Sequence, residues 1–238
     1  MFKIKIADLV VGIYNKYEFV KRQCAEYIVP DDTKMDFTVS ASTEDINRER
    51  EIAEGDFSNG YLESICVYRN ICRRMPLFDG FLLHAAVAKV DGVAYAFTAD
   101  SGVGKSTHLR LWKTLLAEKM SIINGDKPII RVIDGKVFAY GTPWCGKEGF
   151  NSNDFAPLKT ICFLERGEIN EIEACPSNAV LGKLLNQLII SDKPEIAEKL
   201  LDLLNITLSN IDLWRLKCNM DISAAELSYN TMKNGVVK

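Results

Sequence analysis

The sequence predicts an α/β fold with a mixed sheet, in which a small α+β section at residues 1–80 precedes a larger domain at residues 81–238. Three observations support this prediction. Apolar runs flank Asp-Gly turns, a glycine-rich segment separates an apolar run from an amphipathic one, and strand-like and helix-like segments then alternate. Hairpins outnumber simple strand-helix-strand units, so a mixed sheet is expected rather than a purely parallel one.

The first 80 residues combine strand-like and helix-like patterns. Residues 2–6 alternate apolar and lysine side chains, as a half-buried strand does, and a second strand is expected near residues 35–39. Residues 30–60 are the most loop-like stretch because clustered charges interrupt the apolar pattern. A helix is expected over residues 61–74, where apolar side chains recur at helical spacing and Pro76 follows.

Two hairpins are expected in residues 81–140. Each contains the dipeptide Asp-Gly, which favours a type I′ turn because both residues tolerate a positive φ. The predicted strands are residues 81–90, 93–98, 129–133 and 136–140. Between the hairpins, residues 105–120 place apolar side chains on one helical face, which predicts a helix packed against the sheet.

The remaining elements alternate between strands and helices. Strands are expected at residues 158–164 and 211–217, and helices at residues 177–190, 194–203 and 223–232. Asp192 is expected to cap the second of these helices, and Ser223 with Glu226 has capping-box spacing.

Composition limits the classes of function. The 238 residues are 47% hydrophobic with a formal net charge of -3, so a sizeable core is expected and general attraction to nucleic acid or membranes is not. No apolar run approaches the roughly 20 residues of a membrane span, and the charged start lacks a signal peptide's apolar segment. We therefore expect a cytoplasmic protein with no membrane or nucleic-acid partner; association into a homo-oligomer stays open.

Cysteine and histidine usage gives a second limit. The seven cysteines are scattered without Cys-x-x-Cys spacing, which favours reduced thiols over disulfides or a zinc site. His84 and His108 are the two histidines, so a histidine-rich metal centre is excluded.

Residues 99–106, Ala-Asp-Ser-Gly-Val-Gly-Lys-Ser, form a glycine-rich loop typical of phosphate binding, with Ala99 where the motif has glycine. Such a loop points backbone N–H groups at an anion, and the following helix adds its positive end. The motif predicts ATP binding, with Lys105 at the β- and γ-phosphates and Ser106 on Mg²⁺. The expected nucleotide contacts are Asp100, Ser101, Gly102, Val103, Gly104, Lys105, Ser106 and Thr107. The alternative is a chance Gly-Lys-Ser turn before a structural helix.

Together with its surroundings, this loop resembles a known family. The order is His84 on a strand, an Asp-Gly hairpin, the glycine-rich loop, a helix, Asn-Gly-Asp-Lys at residues 124–127, and another hairpin. This order is similar to the C-terminal domain of HPr kinase/phosphorylase and to the related fold of phosphoenolpyruvate carboxykinase. The resemblance covers residue 81 onward and implies ATP- and Mg²⁺-dependent transfer of the γ-phosphate to a hydroxyl, expected to be a serine of a small protein or peptide.

The resemblance also assigns roles to Asp126 and His84. Asp126 matches the family's acid that handles Mg²⁺ and deprotonates the acceptor, although the family commonly has two adjacent acids. His84 would position the acceptor or stabilise charge beside the γ-phosphate. The alternatives are a turn acid before a hairpin and a buried strand histidine bonded to backbone. His108, on the helix, is expected to be structural.

Residues 141–148 form a second segment with chemical character. Two glycines and a proline around Trp144 predict an irregular loop, in which Lys147 could supply a second cation to the transferring phosphoryl group and Trp144 could wall the pocket. The segment resembles that of kinase-like relatives found beside peptide-modification systems. The alternative is a tight turn with a surface lysine, and Cys145 is expected to be an inert thiol.

Two other functions stay open. A catalytically weak nucleotide-binding partner of a peptide-modification system would also keep the glycine-rich loop, and Ala99 and the single acid favour it. A small-molecule kinase is the third class.

Overall fold

A computed structural model describes residues 1–235, and this part of the chain contains twelve strands and seven α-helices. The strands are β1 Phe2–Ile6, β2 Leu9–Tyr14, β3 Phe37–Ser40, β4 Gly80–Leu82, β5 Ala85–Val90, β6 Val93–Thr98, β7 Met120–Asn124, β8 Ile129–Ile133, β9 Lys136–Tyr140, β10 Phe155–Arg166, β11 Glu171–Ala174 and β12 Asp212–Cys218. The helices are α1 Glu18–Gln23, α2 Thr43–Ile52, α3 Asn59–Arg74, α4 Lys105–Leu116, α5 Ser177–Leu185, α6 Pro194–Asn210 and α7 Ile222–Asn234.

A three-stranded sheet in the order β1-β2-β3 occupies the start of the chain. The hairpin between β1 and β2 turns on Ala7 and Asp8, both at positive φ, and β3 pairs with β2 in parallel. The prediction that residues 30–60 are the most loop-like stretch was wrong for residues 43–52, where the charged segment forms α2. Ser42 and Asp45 form a capping box at the start of α2. The capping box stabilises the helix, although few of its side chains are apolar.

The second sheet has nine strands, with the path β4-β8-β9-β10-β6-β5-β7, and β12 joins β10 to β11. Parallel and antiparallel pairs both occur, so the predicted mixed α/β architecture is confirmed. Both Asp-Gly hairpins form as predicted: φ is 49° at Asp91, 79° at Gly92, 49° at Asp134 and 73° at Gly135.

Two predicted elements proved to be composite. Residues 81–90 are not one strand: β4 pairs with β8, whereas β5 pairs with β6 and β7, so the chain changes neighbours between them. His84 lies at this break rather than on a strand. The helix predicted to reach Met120 ends at Leu116, where Ala117 has a φ of 47°, and Met120 begins β7.

Two predicted helix caps were also wrong. α6 begins after Lys193 rather than Asp192 and runs to Asn210, and its first helical residue is a proline. α7 begins one residue earlier than expected, because the Asp221 side chain accepts a hydrogen bond from the Ser223 backbone N–H.

The strand directions place several loops at one edge of the large sheet. β10 runs parallel to β6 and to β12, while β5 is antiparallel to both β6 and β7. The carboxyl ends of β6, β7, β10 and β12 and the amino end of β5 therefore meet at the same edge. The glycine-rich loop, His84 and Asp126 all lie there.

One hydrophobic cluster links the two sheets. It contains core residues of the first sheet and of α3, together with Leu82, Ile129, Tyr140 and Trp144 from the second part of the chain. The division at residue 80 stays a prediction. Within residues 1–235, none of the helices has the length and apolar character needed to span a membrane. All seven cysteines lie in this part of the chain and are free thiols.

Candidate functional site

The glycine-rich loop joins β6 to α4 with a backbone that glycine accommodates best. Gly102 has a φ of 78° and Gly104 a φ of 133°, and a Cβ built on either would meet no described atom within 4 Å. The backbone is therefore open on this side, and a side chain there would be disfavoured by conformation rather than by space. Ala99 is not among the positive-φ residues of the described chain, so alanine carries no such penalty there.

The Lys105 side chain folds back over this loop at the start of α4. Its Nζ donates to the Ala99 backbone oxygen at 2.9 Å, and the residue is 8% exposed. Burial lowers the pKa of Lys105, and the nearby carboxylate of Asp126 opposes part of that shift. The ammonium is thus held at the loop with little hydration, which suits a strong interaction with an anion.

Asp126 lies in the turn after β7 and is held from two sides. His84 Nε2 lies 2.9 Å from Asp126 Oδ1, and the Lys127 ammonium donates to Oδ2. Burial raises the pKa of Asp126, but the hydrogen bond from His84 and the charge of Lys127 outweigh it and hold the pKa well below its ordinary value. Asp126 is therefore an anion that accepts hydrogen bonds readily and protonates with difficulty.

The buried amide of Asn124 shapes this turn. Its Oδ1 accepts from the backbone N–H groups of Asp126 at 2.9 Å and Lys127 at 2.7 Å, and its Nδ2 donates to the Thr142 carbonyl at 3.0 Å. These bonds fix the Asp126 backbone and tie it to the 141–148 segment. Asparagine commonly forms Asx turns of this kind, but the sequence analysis did not assign this role to Asn124.

Gln187, just beyond α5, connects His84 to the glycine-rich loop. Its backbone oxygen accepts from the His84 N–H at 2.8 Å, its Oε1 lies 3.0 Å from His84 Nδ1, and its Nε2 donates to Asp100 Oδ1 at 3.2 Å. The loop, His84 and Asp126 thus form one continuous hydrogen-bonded chain. The sequence reading missed Gln187, because no local pattern marks a residue 103 positions away from its partner.

A cavity of about 750 Å³ brings most of the predicted site residues together, and we refer to it as the first cavity. Its lining includes Ser101, Gly102, Gly104, Lys105, Ser106, Thr107, His84, Asp126 and Lys147. Two predicted contacts lie elsewhere: Asp100 bonds Gln187, and Val103 lines a different cavity. Part of the lining comes from α3, whose contribution the sequence did not predict: Tyr61, Ser64, Ile65, Tyr68 and Arg69.

The 141–148 segment contributes Trp144 to the wall and Lys147 to the rim of the first cavity. The Trp144 ring stacks on Tyr68 with centroids 4.3 Å apart, and its Nε1 donates to Ser64 Oγ at 2.8 Å. Trp144 is thereby fixed against α3, whereas Lys147 is exposed. Burial raises the pKa of the Cys145 thiol, in line with the expected inert thiol.

The donor atoms of this cavity fit Mg²⁺ bound together with a phosphate. Within residues 1–235, no group of three or more His, Cys, Asp or Glu side chains could hold a metal by itself. Mg²⁺ usually takes only one or two protein oxygens and fills its shell with phosphates and water. The Ser106 hydroxyl and the Asp126 carboxylate supply that number in one cavity.

Comparison with known proteins finds structural similarity that is distant in sequence. No protein-family model matches the chain, and no curated protein matches it. Among solved structures, the chain is similar to the Hpr(Ser) kinase/phosphatase from Coxiella burnetii, with a TM-score of 0.37 and 10% sequence identity. The match covers 64% of this chain and 97% of that chain. Because the relationship is this distant, the function must be argued from the site itself.

Proposed function

We propose that this protein is an ATP-dependent phosphotransferase that moves the γ-phosphate of ATP to a hydroxyl group, with serine in a small protein or peptide as the acceptor. The observation that carries the proposal is the shared cavity: Lys105 on the glycine-rich loop and the hydrogen-bonded pair His84 and Asp126 line the same space. Phosphoryl transfer needs a phosphate-binding group and an acceptor-positioning group in such proximity. The serine acceptor rests on the resemblance of the sequence pattern to HPr kinase/phosphorylase.

The glycine-rich loop and Lys105 would bind the β- and γ-phosphates. The space beside Gly102 and Gly104 is open, so an anion could approach the loop backbone there, and the first turn of α4 would add its unpaired N–H groups. Lys105 would exchange its bond with the Ala99 carbonyl for the phosphate oxygens. Lys147 at the rim would add a second cation as charge develops on the transferred group.

Asp126 would orient the acceptor hydroxyl. Because its pKa is held low, its main contribution is to accept a hydrogen bond from the hydroxyl and aim the oxygen at phosphorus. A loose phosphoryl-transfer transition state needs little proton abstraction before the bond to the leaving oxygen lengthens. His84 would hold Asp126 in the required direction.

Ser106 and Asp126 would hold Mg²⁺, which when bound neutralises charge on the β- and γ-phosphates. The Asp126 oxygen that Lys127 contacts would then serve the cation, and Lys127 could turn toward the phosphates.

Binding and transfer should be measured separately on the same variants. Lys105→Ala should weaken ATP binding about 100-fold in calorimetry. Asp126→Asn should retain binding in the absence of Mg²⁺ and should lower the rate of transfer from radiolabelled ATP to a library of serine peptides and small proteins about 100-fold. The exposed Lys136, on β9, supplies the control variant Lys136→Ala, which should behave as wild type. Failure of the wild-type protein to bind ATP would refute the proposal.

A nucleotide-binding partner without catalysis is the second candidate. One observation favours it: both Asp126 oxygens are already engaged, by His84 and by Lys127. Wild-type protein that binds ATP through Lys105, yet transfers no phosphate to any peptide, protein or small hydroxyl compound, would establish this candidate instead. Transfer to small hydroxyl compounds alone would identify a small-molecule kinase.

A further inference from the structure

The part of α3 that lines the first cavity includes a row of side chains at helical spacing. Tyr61, Ile65 and Arg69 follow one another at i, i+4 spacing, so they lie in line along one face of the helix. All three side chains are exposed or half-buried, whereas Leu62 and Cys66, each one position further along, are buried in the core. The packing of the chain therefore leaves Tyr61, Ile65 and Arg69 open to the cavity, and we call them the α3 row.

The α3 row leads away from Asp126. Tyr68, the neighbour of Arg69, donates from its Oη to the Lys127 carbonyl at 2.7 Å, so this part of α3 adjoins the Asp126 turn. Tyr61 lies two helical turns before Tyr68, a distance of about 10 Å along the helix axis. An extended peptide rises about 3.3 Å per residue, so about three of its residues span this length. A peptide hydroxyl at Asp126 would therefore leave the side chain about three positions away at Tyr61.

The far end of the α3 row is an aromatic cluster. Phe57 stacks on the Tyr61 ring with centroids 5.0 Å apart, and Phe19 meets it edge-on at 5.9 Å. Gly60 permits this close approach, because a Cβ there would lie 2.6 Å from the Phe19 Cβ. Tyr61 is 39% exposed and Phe57 37%, so two adjoining rings present apolar surface at the cavity. A contiguous exposed patch of this kind indicates an interaction site, whereas single exposed apolar side chains do not.

The polar groups of this wall are already paired within the protein. The Ser64 hydroxyl is bonded to Gln23 and to the Trp144 indole, and the Arg69 guanidinium contacts the Glu49 carboxylate at 2.6 Å. The α3 row therefore offers apolar contact, through Tyr61 and Ile65, more than hydrogen bonds. A free amino acid held at Asp126 is too short to reach Tyr61, whereas a peptide is long enough.

We propose that the α3 row is the docking site of the acceptor peptide, and that Tyr61 and Ile65 select a large apolar side chain about three residues from the hydroxyl that receives the phosphate. The inference rests on the proposed function, because it takes the acceptor hydroxyl to lie at Asp126. Burial of an apolar side chain against the pre-formed aromatic surface supplies the selectivity. The first 80 residues thus recognise the acceptor, while the large sheet carries the phosphate-binding loop.

A positional peptide library separates this inference from the proposed function. Each pool has one serine and one fixed residue at a set distance from it, and transfer from radiolabelled ATP is measured. Wild type should phosphorylate pools with Phe, Tyr or Leu about three residues from the serine about tenfold faster than pools with Ala there. Tyr61→Ala should remove this preference and should keep ATP affinity, measured by calorimetry, within about twofold of wild type, because Tyr61 is remote from Asp126.

Phe155→Ala is the matched control for Tyr61→Ala. Phe155 is also a partly exposed aromatic residue, 48% exposed and stacked on Tyr140, but it does not line the first cavity. Phe155→Ala should therefore keep the wild-type preference. Tyr61→Glu should change the preferred residue at the same position from apolar to Lys or Arg, which a purely structural role of Tyr61 would not do. Thermal unfolding checks that each variant is folded.

The outcomes distinguish the two proposals. Wild type that transfers phosphate to none of the pools would refute the proposed function, and docking on the α3 row would be refuted with it. Transfer without an apolar preference, or with a preference that survives in both Tyr61→Ala and Tyr61→Glu, would overturn the docking site and leave the proposed function standing. Loss of ATP affinity in Tyr61→Ala would show that the α3 row holds the nucleotide, and this result would also overturn the docking site.

Discussion

His84 Nε2 lies 2.9 Å from Asp126 Oδ1, and this bond joins the break between β4 and β5 to the turn after β7. The same imidazole contacts Gln187 through Nδ1, so Asp126 is connected to the glycine-rich loop through side chains alone. A carboxylate fixed in this way has one preferred direction, which is what positioning an acceptor requires.

If His84 acts through Asp126, the two residues should not contribute independently. We expect Asp126→Asn to lower kcat for phosphate transfer about 100-fold and His84→Gln about tenfold. The double variant should be close to Asp126→Asn alone, because His84 has no carboxylate left to orient. Steady-state transfer rates of the four proteins check this. Losses that multiply in the double variant would mean that His84 acts on its own.

Gln187 should matter for transfer more than for binding. Gln187→Leu removes both side-chain bonds, to His84 and to Asp100, while keeping the size of the side chain. We expect about a tenfold lower kcat with ATP affinity within about twofold of wild type, since the loop backbone itself stays intact. Asn186→Leu, at the exposed neighbouring amide, is the control. An equal loss of ATP affinity and rate would show that Gln187 supports the loop instead.

His108 predicts a specific dependence of stability on pH. Burial lowers the pKa of His108 from 6.5 to about 4, so the unfolded chain takes up a proton in this interval and the folded chain does not. The stability that neutral His108 contributes is fully present above pH 6.5 and is lost as the pH falls to 4. Over this interval the free energy of unfolding should fall by about 3 kcal/mol because of His108.

Urea unfolding of wild type and His108→Leu between pH 4 and pH 8 measures this contribution. In His108→Leu, the free energy of unfolding should not show the part of its fall with pH that comes from His108. This holds whatever the stability of the variant at pH 8. Parallel curves for the two proteins would contradict a buried, neutral His108.

The central hairpins could be predicted from sequence because their turns are determined locally. Asp-Gly at residues 91–92 and 134–135 specifies a type I′ turn, and the flanking strands formed within the predicted limits for residues 93–98, 129–133 and 136–140. The hairpin of β1 and β2 turns in the same way on Ala7 and Asp8. Alanine rarely adopts a positive φ, so nothing in the sequence marked this turn.

The candidate site also contains some residues that local sequence predicts and others that it does not. The glycine-rich loop and the Asp126 turn are contiguous segments whose residue types carry the physical requirement. Gln187, and the α3 wall with Tyr61, depend on which distant segments pack together, and packing is decided by the whole core rather than by any window of sequence. In the sequence alone, the polar groups of Gln187 and Tyr61 look like those of ordinary surface residues.

Gly141 offers the sharpest test of how the 141–148 segment packs behind the site. A Cβ at this position would lie 1.9 Å from the Ser152 backbone oxygen and 2.8 Å from that of Ile123, and neither backbone atom can move without disturbing β7. Gly141→Ala should therefore lower the free energy of unfolding by about 3 kcal/mol.

Gly182 in the exposed face of α5 gives the opposite expectation for the same substitution. No described atom lies within 4 Å of a Cβ there, so Gly182→Ala should raise the free energy of unfolding by about 0.5–1 kcal/mol through helix propensity. Urea unfolding of both variants at one pH provides the comparison. A Gly141→Ala protein as stable as wild type would show that the chain at Gly141 does not contact Ser152. The 141–148 segment, and with it Trp144 in the wall of the first cavity, would then be placed differently.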